Sequence, residues 1–89
     1  MKLAKSVTVG TLESSDLMVT LAPGQGKREI IVESIVSDQF YDAILATVNE
    51  VLDEMGADDV YAQIHDKGAV DFAIRARVLA ALRRAGGGA

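Results

Sequence analysis

Glu29-Ile30-Ile31-Val32-Glu33-Ser34-Ile35-Val36 gives way at Ser37 to Asp38-Gln39-Phe40-Tyr41-Asp42-Ala43-Ile44, and the change of period at that junction decides the fold. Before Ser37 the apolar residues follow a period of two. Ile30, Val32 and Val36 share one face, while Ile31 and Ile35 lie opposite with Glu33, which predicts a strand partly covered on both sides. After Ser37 the period becomes 3.6: Phe40, Ile44, Val48, Val51, Leu52 and Met55 form one helical stripe. Ser37 is a suitable N-cap, Asp38 places a negative charge at the positive end of the helix dipole, and Gly56 suits the position past the C-terminus.

Upstream, small and β-branched residues alternate over residues 6–12 until Glu13-Ser14-Ser15-Asp16 interrupts them. Residues 17–22 resume with Leu17, Val19 and Leu21 on one face, so the two stretches read as a hairpin with Ser14 at its tip. Pro23-Gly24-Gln25-Gly26 makes the next turn. Downstream, Val60, Ala62 and Ile64 alternate with Tyr61, Gln63 and His65 in a fourth strand that ends at Asp66-Lys67-Gly68. Residues 69–85, rich in alanine, leucine and arginine, form a second helix with Phe72, Ala76, Leu79 and Leu82 as its inward face.

The order is βββαβα. Each element has one strongly apolar face, so the expected architecture is an α+β two-layer sandwich: a four-stranded mixed sheet with both helices on one face. Phe40, Ile44, Val48, Phe72 and Leu79 are expected in the shared core. Residues 1–85 form a single domain, and residues 86–89 a disordered tail.

Composition narrows the function. The 89 residues carry 13 acidic and 9 basic side chains, a net charge of −4 that repels nucleic acid. With no cysteine, disulfides, thiolate metal sites and cysteine nucleophiles are excluded, and any thiol chemistry has to come from a cofactor. Residues 1–5 lead into a polar alternation, not an apolar signal region, and no apolar run reaches membrane-spanning length, so a cytoplasmic protein is expected.

Nothing in the chain assembles a catalytic set. His65 is a lone histidine, and a metal site needs several converging ligands. Glu50, Asp53 and Glu54, with Asp58 and Asp59, read as a solvated helix face and the turn after it. No phosphate-cradling glycine spacing occurs. Arg75, Arg77, Arg83 and Arg84 are spread around more than one helix face. Solubility and helix-dipole complementarity explain them, with docking of an acidic partner or a cofactor phosphate as the alternative. As chemistry alone, Glu13-Ser14-Ser15-Asp16 is an exposed turn with two hydroxyls and two carboxylates.

Gly10-Thr11-Leu12-Glu13-Ser14-Ser15-Asp16 resembles the GTLESGD-like motif near the N-terminus of citrate lyase acyl carrier (gamma) subunits. A second match, Asp66-Lys67-Gly68-Ala69 with Asp71 and Arg75-Ala76-Arg77, is similar to that family's DKGALD and RAR stretches, so the resemblance spans nearly the whole chain. It implies a carrier subunit without catalytic residues of its own. The serine of that motif, here Ser14, carries 2'-(5''-phosphoribosyl)-3'-dephospho-CoA through a phosphodiester, and the terminal thiol of this arm holds the acyl unit. Implied partners are the citrate lyase alpha subunit, where acetyl thioester exchanges with citrate, the beta subunit, where citryl thioester is cleaved, and the transferase that attaches the arm. Neither nucleic acid nor a membrane is expected as a partner. Ser15 stands where the family commonly has glycine and is the competing attachment site. The carriers of citramalate lyase and malonate decarboxylase use the same kind of arm and remain alternatives, as does a cofactor-free interaction module. The leading strands do not fit the helical bundle of phosphopantetheine carriers.

Overall fold

A computed structural model describes residues 1–35 and 38–86, the side chain of Gln39 excepted; the expected N-cap at Ser37 and the strand position at Val36 lie outside them. The elements follow the expected order: β1 (Val7–Gly10), β2 (Leu17–Pro23), β3 (Arg28–Ser34), α1 (Asp38–Glu54), β4 (Val60–Asp66) and α2 (Asp71–Ala85). The four strands form one mixed sheet in the order β1-β2-β4-β3. β1 pairs antiparallel with β2, β2 antiparallel with β4, and β3 parallel with β4. Parallel neighbours need a crossover, and α1 provides it.

Strand alternation aligns the core across the sheet. Val9 pairs with Val19, Val19 with Ile64 and Ile64 with Val32, while Leu21 pairs with Ala62 and Ala62 with Ile30. Leu17, Val19, Leu21, Val60, Ala62 and Ile64 are fully buried under the helices. On β3, Ile30 and Val32 pack against this core, but Ile31 and Ile35 are exposed. The expectation of a strand covered on both sides is thus corrected: both helices lie on the other face, and this one is solvated.

α1 buries Ile44, Val48, Val51 and Leu52, as its stripe predicts, and Gly56 follows it with φ +65°. Phe40, one helical turn before buried Ile44, is 49% exposed and so stands outside the expected shared core. α2 requires a larger correction. Phe72 is 76% exposed and Ala76 is also exposed; the inward face is Ile74, Val78, Ala81, Leu82 and Ala85, with Leu79 at its margin. Positions two apart on a helix point about 200° apart, so the expected phase is nearly reversed in the first half of the helix. Small Ala81 and Ala85 let the helix lie close to the sheet, a contact that a search for large apolar residues overlooks.

Two further ties close the domain. The Met1 amino group donates to the Gly56 carbonyl at 2.7 Å, Leu3 is buried and bridges to Gly86, and the Ala4 N–H donates to the Ala85 carbonyl at 2.7 Å. Gly86 also caps α2 through its N–H to the Leu82 carbonyl, and the rest of the expected tail, residues 87–89, lies outside the described residues. Arg28 draws together one carboxylate from the acidic helix face and one from the turn after it: its guanidinium donates to the Ala57 carbonyl, Asn49, Asp53 and Asp58, fastening the start of β3 to the end of α1. No helix among the described residues is long and apolar enough to cross a membrane.

Candidate functional site

Ser14 is exposed at the tip of the β1–β2 hairpin, and its hydroxyl makes no hydrogen bond among the described residues. The segment beneath it is braced at nearly every position. Gly10 has φ +101°, and a Cβ there would collide with the Leu17 carbonyl oxygen, so the first residue of the motif has to be glycine. The Thr11 N–H donates to that same carbonyl at 3.1 Å. The Thr11 hydroxyl donates to Asp16 Oδ2 at 2.6 Å and accepts from the Glu13 N–H at 3.2 Å, closing a small ring around the tip.

Asp16 is the centre of this arrangement. Its carboxylate also accepts from the Leu17 N–H at 2.7 Å and takes a two-pronged contact from Arg77, Nε to Oδ1 at 3.1 Å and Nη2 to Oδ2 at 2.7 Å. The Arg77 hydrogen bonds, then those from Thr11 and Leu17, hold the Asp16 carboxyl down at about 2. A two-pronged guanidinium contact fixes orientation as well as distance, so α2 clamps the hairpin tip from outside the sheet.

The second motif meets the first here. The Ser15 N–H donates to the Lys67 carbonyl and the Lys67 N–H to the Asp16 carbonyl, both at 2.8 Å. Lys67 is presented by a turn organised on buried Asp66, which accepts from the Ser34 hydroxyl at 2.8 Å, the Gly68 N–H at 3.1 Å and the Ala69 N–H at 2.9 Å. Asp71 accepts from the Thr47 hydroxyl at 2.7 Å, joining the helices. In the RAR stretch, Arg77 reaches Asp16, whereas Arg75 pairs with Glu50 and Glu54 at 2.8 and 2.7 Å. Two residues apart on a helix, these arginines face different neighbours.

Both motifs therefore converge on one loop. Reasoning from sequence placed Ser14 at the hairpin tip but did not find the pairing of Asp16 with Arg77, which are 61 residues apart. The available signal was the presence of oppositely charged residues in two matched stretches. His65 stands apart on the open sheet face, its Nδ1 3.2 Å from Glu33 Oε2. Among the described residues, no three metal-ligating side chains converge.

Residues 4–85 match the family model described as the malonate decarboxylase delta subunit, an acyl carrier protein family. The citrate lyase acyl carrier protein of Vibrio cholerae is 48% identical over 86 residues, covering 96% of this chain and 88% of that protein. Its counterpart in Pectobacterium atrosepticum is 45% identical over 85 residues, with the same coverage of each chain. The counterpart in Halothermothrix orenii is 37% identical over 89 residues, covering 100% of this chain and 95% of that one. Among solved structures, a chain of a Pseudomonas malonate decarboxylase hetero-tetramer in complex with malonate superimposes with a TM-score of 0.84 at 28% identity, over 97% of this chain and 89% of that chain.

Proposed function

The chain belongs to the acyl carrier protein family of the malonate decarboxylase delta subunit, and on that premise we propose that it is the carrier subunit of a citrate lyase, modified on Ser14. The observation that carries this reading is an exposed, unengaged hydroxyl on a firmly held loop. A transferase has to reach the hydroxyl, and a finished arm has to swing clear of the domain; the open tip provides for both. The group proposed is 2'-(5''-phosphoribosyl)-3'-dephospho-CoA, joined to Ser14 Oγ by a phosphodiester. When bound, it supplies the thiol that a chain without cysteine lacks.

The protein's own residues present the attachment point. Thr11, Asp16, Lys67 and Arg77 hold the loop so that Ser14 projects outward, and no side chain of this subunit takes part in bond making at the acyl group. A tether confines the acyl unit to the neighbourhood of the catalytic subunits at an effective concentration set by its length. The alpha and beta subunits of the lyase are the proposed docking partners in the cytoplasm. The identities of 37–48% to citrate lyase carriers favour this over malonate decarboxylase, which the structural likeness supports as the second reading.

Intact mass after incubation with the transferase and the activated dephospho-CoA precursor, followed by peptide mapping of residues 11–21, tests the site. Ser14→Ala is expected to abolish incorporation while changing stability by no more than about 0.5 kcal/mol, as for an ordinary surface substitution. Ser15→Ala is expected to remain a substrate. Labelling lost only in Ser15→Ala moves the site to the neighbouring hydroxyl. Labelling that survives in both variants overturns the assignment. With the labelled chain, turnover of citrate by lyase subunits, set against turnover of malonate by decarboxylase subunits, separates the two complexes.

A further inference from the structure

The large apolar side chains that remain exposed are concentrated at one end of the molecule. The β1–β2 tip, the ends of β3 and β4, and the starts of α1 and α2 all lie there, because Leu17 pairs with Asp66 and Ser34 pairs with Asp66. Of the seven large apolar side chains exposed among the described residues, Leu12, Ile35, Phe40, Tyr41, Val70 and Phe72 stand at this end; Ile31 alone lies along the sheet. Both phenylalanines of the chain are among them. A groove of about 540 Å³ opens between the two helix starts, lined by Phe40, Ala43, Ile44, Ala69, Val70 and Ile74 with Asp71. Ala69 is two residues from Lys67, and so within about 7 Å of it by chain length alone. The Lys67 backbone is bonded to Ser15 and Asp16, so the groove adjoins the loop that carries Ser14.

Charge divides along the same axis. Glu13, Asp38 and Asp42 flank the apolar end and form no ion pair among the described residues. The cations without an ion pair among the described residues lie mostly at the other end, where they outnumber the unpaired acids Glu29 and Asp59: Lys2 pairs through its backbone with Asp59 before β4, Lys5 follows the Ala4–Ala85 contact, Lys27 precedes β3, and Arg83 and Arg84 end α2. Lys67 is the exception. An apolar patch of this kind on a small protein marks an interaction surface, and its acidic flank selects a partner with a basic rim.

Resting on the carrier reading above, we propose that the groove between Phe40 and Val70, with exposed Phe72 beside it, docks a lyase catalytic subunit, which inserts an apolar side chain from a positively charged surface beside its active-site entrance. The Ser14 tip and the groove share one end, so docking there delivers the arm to that entrance without reorienting the domain.

The test is titration of the purified, arm-bearing chain against purified alpha and beta subunits separately, at several salt concentrations. Phe72→Ala and Val70→Ala are expected to weaken binding to at least one subunit by about tenfold or more, as for an aromatic anchor at an interface centre. Asp38→Asn with Asp42→Asn is expected to weaken it a few-fold and flatten its salt dependence. Intact mass verifies the arm in each variant, and unchanged melting verifies folding, since these side chains are exposed. A modified chain that binds both subunits as well after Val70→Ala and Phe72→Ala as before overturns the docking proposal and leaves the carrier reading standing. A wild-type chain that never accepts the arm overturns the carrier reading and, with it, this proposal. Self-association that Phe72→Ala abolishes, with subunit affinity unchanged, assigns the groove to a second copy and overturns it as well.

Discussion

Ser15 has φ +67°, the left-handed region where the Cβ of an L-residue crowds the following carbonyl at a cost of about 1–2 kcal/mol. Its N–H nevertheless has to face the Lys67 carbonyl, so the position is imposed by the loop and not chosen by the side chain. This accounts for glycine in the family's motif. Replacing Ser15 with glycine removes the crowding but gives the unfolded chain more freedom, worth roughly 0.5–1 kcal/mol against it. The expected net stabilisation is about 0.5–1 kcal/mol, measured by urea denaturation, with labelling at Ser14 retained. A loss of stability would show that the Ser15 side chain contributes something beyond its backbone. Such strain is not legible in the sequence, where Glu13-Ser14-Ser15-Asp16 reads as any polar turn; the backbone angle supplies the reason.

Strands were easier to read than helices. β2 and β4 bury one face and leave the other half-buried, so every second residue reports its environment, and Leu17, Val19, Leu21, Val60, Ala62 and Ile64 are all fully buried as the alternation implies. α2 lacks that contrast. Alanine is compatible with either face, and Phe72 draws attention to the wrong one. Burial now predicts opposite outcomes for two changes that look alike in sequence. Leu82→Ala removes a fully buried side chain from beneath the sheet and should cost about 2–5 kcal/mol. Phe72→Ala should cost no more than about 0.5 kcal/mol. Chemical denaturation of both variants checks the helix phase, and a larger loss for Phe72 than for Leu82 would reverse it. The charged groups follow the same logic at longer range. Glu50 and Glu54 read as a solvated face because their partner Arg75 lies on the other helix.

Asp16 and Arg77 join the first hairpin to the last helix, so their contact measures how the whole chain holds its tip. The Asp16 carboxylate is about one-fifth exposed and the Arg77 side chain about two-fifths. Water therefore screens the pair, and truncating Arg77 to alanine should cost about 1–2 kcal/mol, in the lower part of the range for bonds between charged groups. pH tests the same contact without removing an atom. The folded carboxyl titrates at about 2, below the value near 3.9 expected in the unfolded chain. The unfolded state therefore takes up the proton first as acid is added. The contribution of Asp16 is complete above pH ~4, declines as pH falls from there, and is lost below about 2. Asp16→Asn keeps the shape but has no proton to take up. The stability difference between wild type and Asp16→Asn, read from denaturation midpoints, should be largest at neutral pH and shrink steadily from pH ~4 downward. Arg77→Ala should shrink that difference at pH 7 as well, because the arginine is the leading cause of the shift. A difference that stays constant down to pH ~2.5 would mean that Asp16 braces the tip by shape alone, since a charge-dependent clamp has to weaken as its carboxylate is neutralised.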